Sequence, residues 1–153
     1  MLVSPYPFFV EKNASTDDIA KMLIANPCLK SVYVIDENLK LIGRVTLKNL
    51  IKHEFINLIP SSFEYFDALE FNGIKNASEI MNYPIFVKDE DSLKTAFIKM
   101  YKNDLDELPV VDKNFHLIGN IDLIELLTIL IEKKEQKANK NFMQLIINRP
   151  FHR

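Results

Sequence analysis

The sequence predicts an α+β fold in which one unit, strand-helix-hairpin-helix, is used twice. Two observations carry this. First, Val34-Ile35-Asp36-Glu37-Asn38-Leu39-Lys40-Leu41-Ile42-Gly43 is answered by Val110-Val111-Asp112-Lys113-Asn114-Phe115-His116-Leu117-Ile118-Gly119, with six identities at an offset of 76. Second, Tyr6-Pro7-Phe8-Phe9-Val10 returns as Tyr83-Pro84-Ile85-Phe86-Val87 at an offset of 77, so one residue separates the two copies somewhere between these landmarks. A repeat of this kind is read before any single element, because it fixes the unit of folding.

The elements follow in order. Met1 to Pro7 is an extended lead-in, since two closely spaced prolines fix φ and bar their predecessors from helix. Phe8-Phe9-Val10 is a short strand. Ser15 is a cap with an acid three residues on, and Ile19, Met22 and Leu23 recur at helical spacing, which predicts a helix over Thr16 to Ala25 closed by Asn26-Pro27. Ser31 to Ile35 and Lys40 to Val45 are β-rich and flank the turn Asp36-Glu37-Asn38, a hairpin pattern. Thr46 then caps a helix carrying Leu47, Leu50, Ile51 and Phe55.

The second copy runs the same way. Ala77 to Met81 is a short helix, Val87 ends a strand, and Asp91-Ser92 opens a helix with Leu93, Ala96, Phe97 and Met100. Leu108 to Val111 and Leu117 to Ile121 form the hairpin, and Asp122 opens a long helix with Leu123, Leu126, Leu127, Leu130 and Ile131 on a wide apolar face. The chain is divided as residues 1–55 for the first repeat, 56–76 for a helical linker, 77–132 for the second repeat and 133–153 for a helical tail. In the linker Ser62 caps a helix with Phe63, Phe66 and Leu69 on one face, and Asn72-Gly73 stops it. In the tail the charged run Lys133 to Lys140 gives way to Phe142, Leu145 and Ile146, a surface suited to docking on the domain or on a second subunit, before Arg149-Pro150.

Composition excludes several classes. Of 153 residues 48% are hydrophobic and 26% charged, the balance of a globular domain. A net charge of −2 and a pI near 5.9 give no basic excess for nucleic acid. The single cysteine, Cys28, is read as a packing or surface thiol and cannot form an internal disulfide. No signal peptide or membrane-spanning run is read, so the cytoplasm and no membrane insertion are expected. His53, His116 and His152 are scattered without a second ligand at metal spacing, no metal site is expected, and His116 is expected to be solvated in its turn. The three glycines make no phosphate loop, and no nucleophile-base pair can be assembled, so no catalytic residues are assigned and the protein is not expected to be an enzyme. Asp104, Asp106 and Glu107 read as a solvated helix end and loop.

The order and duplication of these motifs resemble the tandem CBS domain pair, also called a Bateman module. The matching residues are Val32-Tyr33-Val34-Ile35-Asp36 with Leu41-Ile42-Gly43-Arg44-Val45, and Leu108-Pro109-Val110-Val111-Asp112 with Leu117-Ile118-Gly119-Asn120-Ile121; Ser78-Glu79-Ile80-Met81 is similar to a segment that precedes such repeats. The resemblance implies two CBS repeats related by a pseudo-two-fold axis, two clefts between them, adenosyl ligands such as AMP, ADP, ATP or S-adenosylmethionine, no required cofactor, and pairing into a homodimer.

The resemblance also implies composite clefts. One would gather Thr46, Lys48 and Asn49 with Tyr83, Lys88 and Glu107, its lysines balancing phosphate. The other would gather Asp122 and Glu125 with Tyr6, Glu11 and Ser31, and would be acidic. In the family motif an acid follows three residues after the hydroxyl to take the ribose; here Asn49 stands in that place in the first copy, and in the second an acid, Asp122, stands where phosphate would sit. If one cleft holds a nucleotide, the first is expected to. Thr46 is equally a plain N-cap, and Asp122-x-x-Glu125 is equally a capping box. The expected function is therefore a stand-alone regulatory module binding an adenosyl ligand and signalling to a dimer or an unidentified protein partner. The alternative is a ligand-free interaction module with degenerate sites.

Overall fold

The computed structural model describes residues 8–56 and 75–147. Tyr6, the linker helix expected at Ser62 and the stop at Arg149-Pro150 lie outside them, as do the side chains of Phe142, Leu145 and Ile146.

Each repeat forms its own three-stranded sheet. In the first, β1 (Phe9–Glu11) runs parallel to β2 (Ser31–Ile35) across helix α1 (Thr16–Ala25), and β3 (Leu41–Thr46) returns antiparallel to β2 before helix α2 (Leu47–Ile56). In the second, a short helix α3 (Ala77–Ile80) leads in; β4 (Val87–Lys88), helix α4 (Leu93–Lys102), β5 (Glu107–Val111), β6 (Leu117–Asp122) and helix α5 (Leu123–Ile147) then follow with the same pairing. The parallel pair needs a crossover, and α1 and α4 provide it. Both crossover helices are capped alike: Ser15 Oγ accepts from Asp18 N and Ser92 Oγ from Thr95 N, each at 3.1 Å.

The repeated ten-residue stretch encodes one turn, built twice. Asp36 Oδ1 accepts the N–H groups of Asn38 at 2.8 Å and Lys40 at 2.9 Å, and Asp112 Oδ1 those of Asn114 and His116 at the same distances. The residue that closes each turn is left-handed, Leu39 at φ 61° and Phe115 at φ 68°. Ile42 and Ile118 then bulge out, since Val34 pairs with Gly43 but Ile35 with Leu41, and the second hairpin repeats this register. His116 keeps a partly exposed side chain in this turn, and its Nδ1 also lies 2.9 Å from Asp112 Oδ2.

The cores match position by position. Val10, Ile19, Leu23, Val32, Val34, Val45 and Leu50 are buried in the first, and Val87, Ala96, Met100, Leu108, Val110, Ile121 and Leu126 in the second. The offset is 77 as far as the caps Asn26 and Asn103, whose side chains bond back to Met22 O and Lys99 O, and 76 from Lys30 onward. The extra residue therefore lies in the loop after α1. Ala77 and Ile80, from the second copy, are buried in the first core, where Ala77 N donates to Ala14 O and Ser78 N to Lys12 O. Asn82 then exchanges both backbone hydrogen bonds with Arg44, extending the first sheet beyond β3.

Three contacts define the pseudo-two-fold axis, because each joins a residue to its own counterpart: Lys30 to Asp106, Ser31 to Glu107, and Lys40 to His116. A residue meets its symmetry mate only at an axis. Around the Lys40–His116 pair the backbones trade equivalent bonds, Leu41 N to Phe115 O at 3.0 Å and Leu117 N to Leu39 O at 3.2 Å. Tyr33, Leu41 and Val111, with Phe86 and Leu117 against them, bury the middle of this junction.

Candidate functional site

At the Lys30–Asp106 end of the axis the last helix of each repeat begins. Leu47 N donates to Lys30 O at 2.8 Å and Leu123 N to Asp106 O at 3.0 Å, so α2 and α5 are both anchored to the on-axis pair. Beside α5 a cleft of about 470 Å³ opens, lined from the first repeat by Cys28, Lys30 and Arg44 and from the second by Asp104 through Glu107 and Asp122 through Ile124. Its cations are held by its acids: Lys30 Nζ lies 2.6 Å from Asp106 Oδ2, and Arg44 Nη2 3.6 Å from Glu107 Oε1. Lys30 holds the Asp106 carboxyl below the usual carboxylate range, first through the hydrogen bond and then through its charge.

Asp122 and Glu125 form the capping box that their spacing allowed. Glu125 N donates to Asp122 Oδ1 at 2.7 Å and Asp122 N to Glu125 Oε2 at 3.0 Å. Burial pushes the Glu125 carboxyl up, the neighbouring Asp122 charge adds to this, and the Asp122 N–H opposes it. At the start of α5 the Glu125 N–H is thus already taken by the Asp122 carboxylate and the Leu123 N–H by Asp106 O, two of the groups that an anion would use.

The start of α2 is different. Thr46 Oγ1 accepts from Asn49 N at 3.1 Å, no acid stands in the first turn, and Lys48 is exposed. Asn49 Nδ2 donates to Asn82 Oδ1 at 3.1 Å, bringing the residue before Tyr83 against the helix start, while Tyr83 itself is almost wholly exposed.

The remaining expected groupings form only in part. Ser31 is buried and bonds Glu107 across the axis, and Glu107 lines the cleft with Asp122, where the resemblance put it with Thr46. Glu107 is therefore no solvated loop acid: β5 carries it to the repeat junction, whereas Asp104 and Asp106 stay exposed. Lys88 is not beside Thr46. It pairs with Val111 toward the hairpin turn, with Nζ 5.6 Å from the Phe115 ring centroid, whereas Thr46 pairs with Ser31 at the other end of its hairpin. Glu11 ends β1 in an exposed position. Arg44, Lys30 and Asn82 were missed. The signal for Lys30 was available, since its repeat counterpart is the oppositely charged Asp106. Among the described residues no cluster of His, Cys, Asp and Glu is arranged to hold a metal, and no helix is long and apolar enough to cross a membrane.

Residues 2–55 and 77–132 each match the CBS domain. The chain belongs to the CBS domain family. As a CBS pair it is similar to CBSX2, solved in complex with AMP, at 24% identity and a TM-score of 0.70, covering 86% of this chain and 94% of that one. A CBS domain-containing protein of Thermotoga maritima matches at 29% identity and a TM-score of 0.65, covering 86% and 89%. The CBS pair of protein MJ0100, solved with 5′-methylthioadenosine and S-adenosyl-L-methionine, matches at 23% and a TM-score of 0.64, covering 86% and 93%. By sequence, residues of this CBS pair are 27% identical over 112 positions to Protein SDS23 of Scheffersomyces stipitis, covering 72% of this chain and 20% of that protein. The chain thus spans about a fifth of the curated relatives it matches.

Proposed function

We propose that this CBS pair is a regulatory binding module without catalytic activity. It takes an adenosyl ligand, AMP, ADP, ATP or S-adenosylmethionine, in an inter-repeat cleft and passes the change in repeat orientation to a homodimer or another protein in the cytoplasm. The observation that carries this is the cleft beside α5: its walls come from both repeats at the end of their axis, so an occupant touches both at once. Its volume of about 470 Å³ falls within the ordinary range for small-molecule sites. AMP in CBSX2 and S-adenosyl-L-methionine in the MJ0100 pair support the ligand class. An occupant shifts the orientation only by its difference in affinity for the two arrangements.

A second reading is a ligand-free interaction module. The Asn49–Asn82 bond and the Asp122–Glu125 capping box favour it, since both engage positions that a nucleotide would use.

The test is thermal stability against adenosine, AMP, ADP, ATP and S-adenosylmethionine, with and without magnesium. A ligand at a hundred times its Kd raises stability by about 2.7 kcal/mol. The gain should fall in Thr46→Ala and Asn49→Ala if the ligand sits at the start of α2, and be indifferent to both if it sits in the cleft beside α5. A flat response at millimolar concentration overturns the first reading. Loss of self-association on making Phe142 and Leu145 polar would then support the second.

A further inference from the structure

The two repeats meet across their axis in two unlike ways. At the hairpin-turn end the ties are backbone: Leu41 N donates to Phe115 O at 3.0 Å and Leu117 N to Leu39 O at 3.2 Å, beside the buried cluster of Tyr33, Leu41 and Val111. The accepting carbonyls belong to the two left-handed residues, Leu39 and Phe115. Such a backbone costs a residue with a Cβ about 1–2 kcal/mol, and it persists where surrounding contacts fix it.

At the Lys30–Asp106 end the ties are side chains. The Lys30–Asp106 pair is exposed and Arg44 Nη2 stands 3.6 Å from Glu107 Oε1, which leaves Ser31 to Glu107 as the one short, shielded tie among the described residues. Tyr33 pairs with Arg44 in the first sheet, and their counterparts Pro109 and Asn120 pair in the second. In that layer, two residues along from Ser31 and Glu107, Tyr33 OH, Arg44 Nε and Asn120 Oδ1 are buried with no hydrogen-bond partner among the described residues. Each such atom carries a desolvation cost that contact with water would return. The turn end shows no equivalent cost.

The backbone passes from one body to the other in two residues. Lys75 to Asn82 is bonded to the first repeat: Thr16 N donates to Lys75 O, Ala77 N to Ala14 O and Ser78 N to Lys12 O, and Asn82 exchanges both bonds with Arg44. Ile85 already packs against the second core. Tyr83 and Pro84 lie between, in neither sheet, and Tyr83 is almost wholly exposed. Proline fixes its own φ and restricts the residue before it, so this crossing has few free torsions.

We propose that the pair is hinged: the repeats rotate about the paired hairpin turns, with Tyr83-Pro84 as the covalent hinge, and part at the Lys30–Asp106 end, where Ser31 and Glu107 form the latch. This rests on the reading that a change in repeat orientation is what the module passes on, and it names the fixed and the moving end. The cleft of about 470 Å³ lies at the moving end.

Spin-label distances on the full chain, measured by double electron–electron resonance without any nucleotide, are the experiment. One pair spans the mouth, native Cys28 with Ile124→Cys, which line the cleft from opposite repeats. The other spans the turns, Asn38→Cys with Asn114→Cys in a Cys28→Ser background, both at exposed turn positions. Each pair is measured alone, with the latch removed by Ser31→Ala, and with the crossing freed by Pro84→Ala, with far-UV circular dichroism as the folding check. The expected result is a longer and broader mouth distance in both variants, an unchanged turn distance, and hydrogen-exchange protection of the Leu41 and Leu117 amides retained. A mouth distance unchanged in both variants, or a turn distance that lengthens with it, overturns the hinge. Because no nucleotide is present, the outcome is separate from the adenosyl reading: a chain that binds none of the adenosyl compounds fails that reading with the hinge intact, and a chain that binds one but keeps its mouth fixed fails the hinge alone.

Discussion

Ser31 Oγ donates to Glu107 Oε1 at 2.7 Å, joining one position in the first repeat to the same position in the second. Ser31 is only 3% exposed, so this bond is made away from bulk water. A hydrogen bond to a charged group is worth about 1.5–3 kcal/mol. Ser31→Ala should lower stability by about that much, seen as a lower urea midpoint with an unchanged slope.

The Lys30–Asp106 pair is short but exposed, and salt screens such pairs. Lys30→Glu should lower the thermal midpoint by a small amount that shrinks at high salt. Combining it with Asp106→Lys should restore the midpoint, because the swap keeps the pair across the axis. Non-recovery in the double variant would show that the two side chains act independently.

Gly43 lies against Met81, and an added Cβ there would stand 2.8 Å from Met81 Cβ, well inside contact distance. Met81 cannot swing clear by its tip alone, because its own Cβ is part of the clash. Gly43→Ala should cost about 1–3 kcal/mol as an overpacking change. Met81→Ala in the same chain should recover part of it, measured by chemical denaturation.

Acid should weaken the fold. The Lys40 N–H holds Asp36 below the usual range, the Lys12 hydrogen bond does so for Glu37, Lys30 for Asp106 and His116 for Asp112. Carboxyls depressed in the folded state contribute stability above their unfolded pKa, about 4, and lose it as pH falls through their folded values. Glu125 is raised, so its contribution has the opposite sign and is lost as pH rises through its folded value. With four groups against one, stability should fall between about pH 4 and pH 2. The fall should be shallower in Asp112→Asn, by urea denaturation across that range.

The repeat units were legible because their signals are local. Ser15 and Ser92 cap helices wherever they occur, and the Asp36 and Asp112 turns are closed by bonds spanning four residues at most. Sheet order followed from strand, helix and hairpin succession. The site was less legible because it depends on what lies opposite across the axis. Lys88 reads as a cleft cation from its place after the Tyr83-Pro84 landmark, yet its strand carries it toward the hairpin turn. Arg44 belongs to a strand motif, and only the docking of the repeats sets it against Glu107. Asn82 gains its place from backbone pairing with Arg44, which no local pattern encodes.

The on-axis contacts also decide which halves can be partners. Two first repeats from different chains, docked as the two halves are docked here, would set Lys30 against Lys30 and Ser31 against Ser31. Two second repeats would oppose Asp106 with Asp106 and Glu107 with Glu107. Only the unlike combination gives each residue a complement. The chain's divergence at these positions is therefore a recognition code between its own halves, steering the first repeat toward a second repeat and away from its own kind.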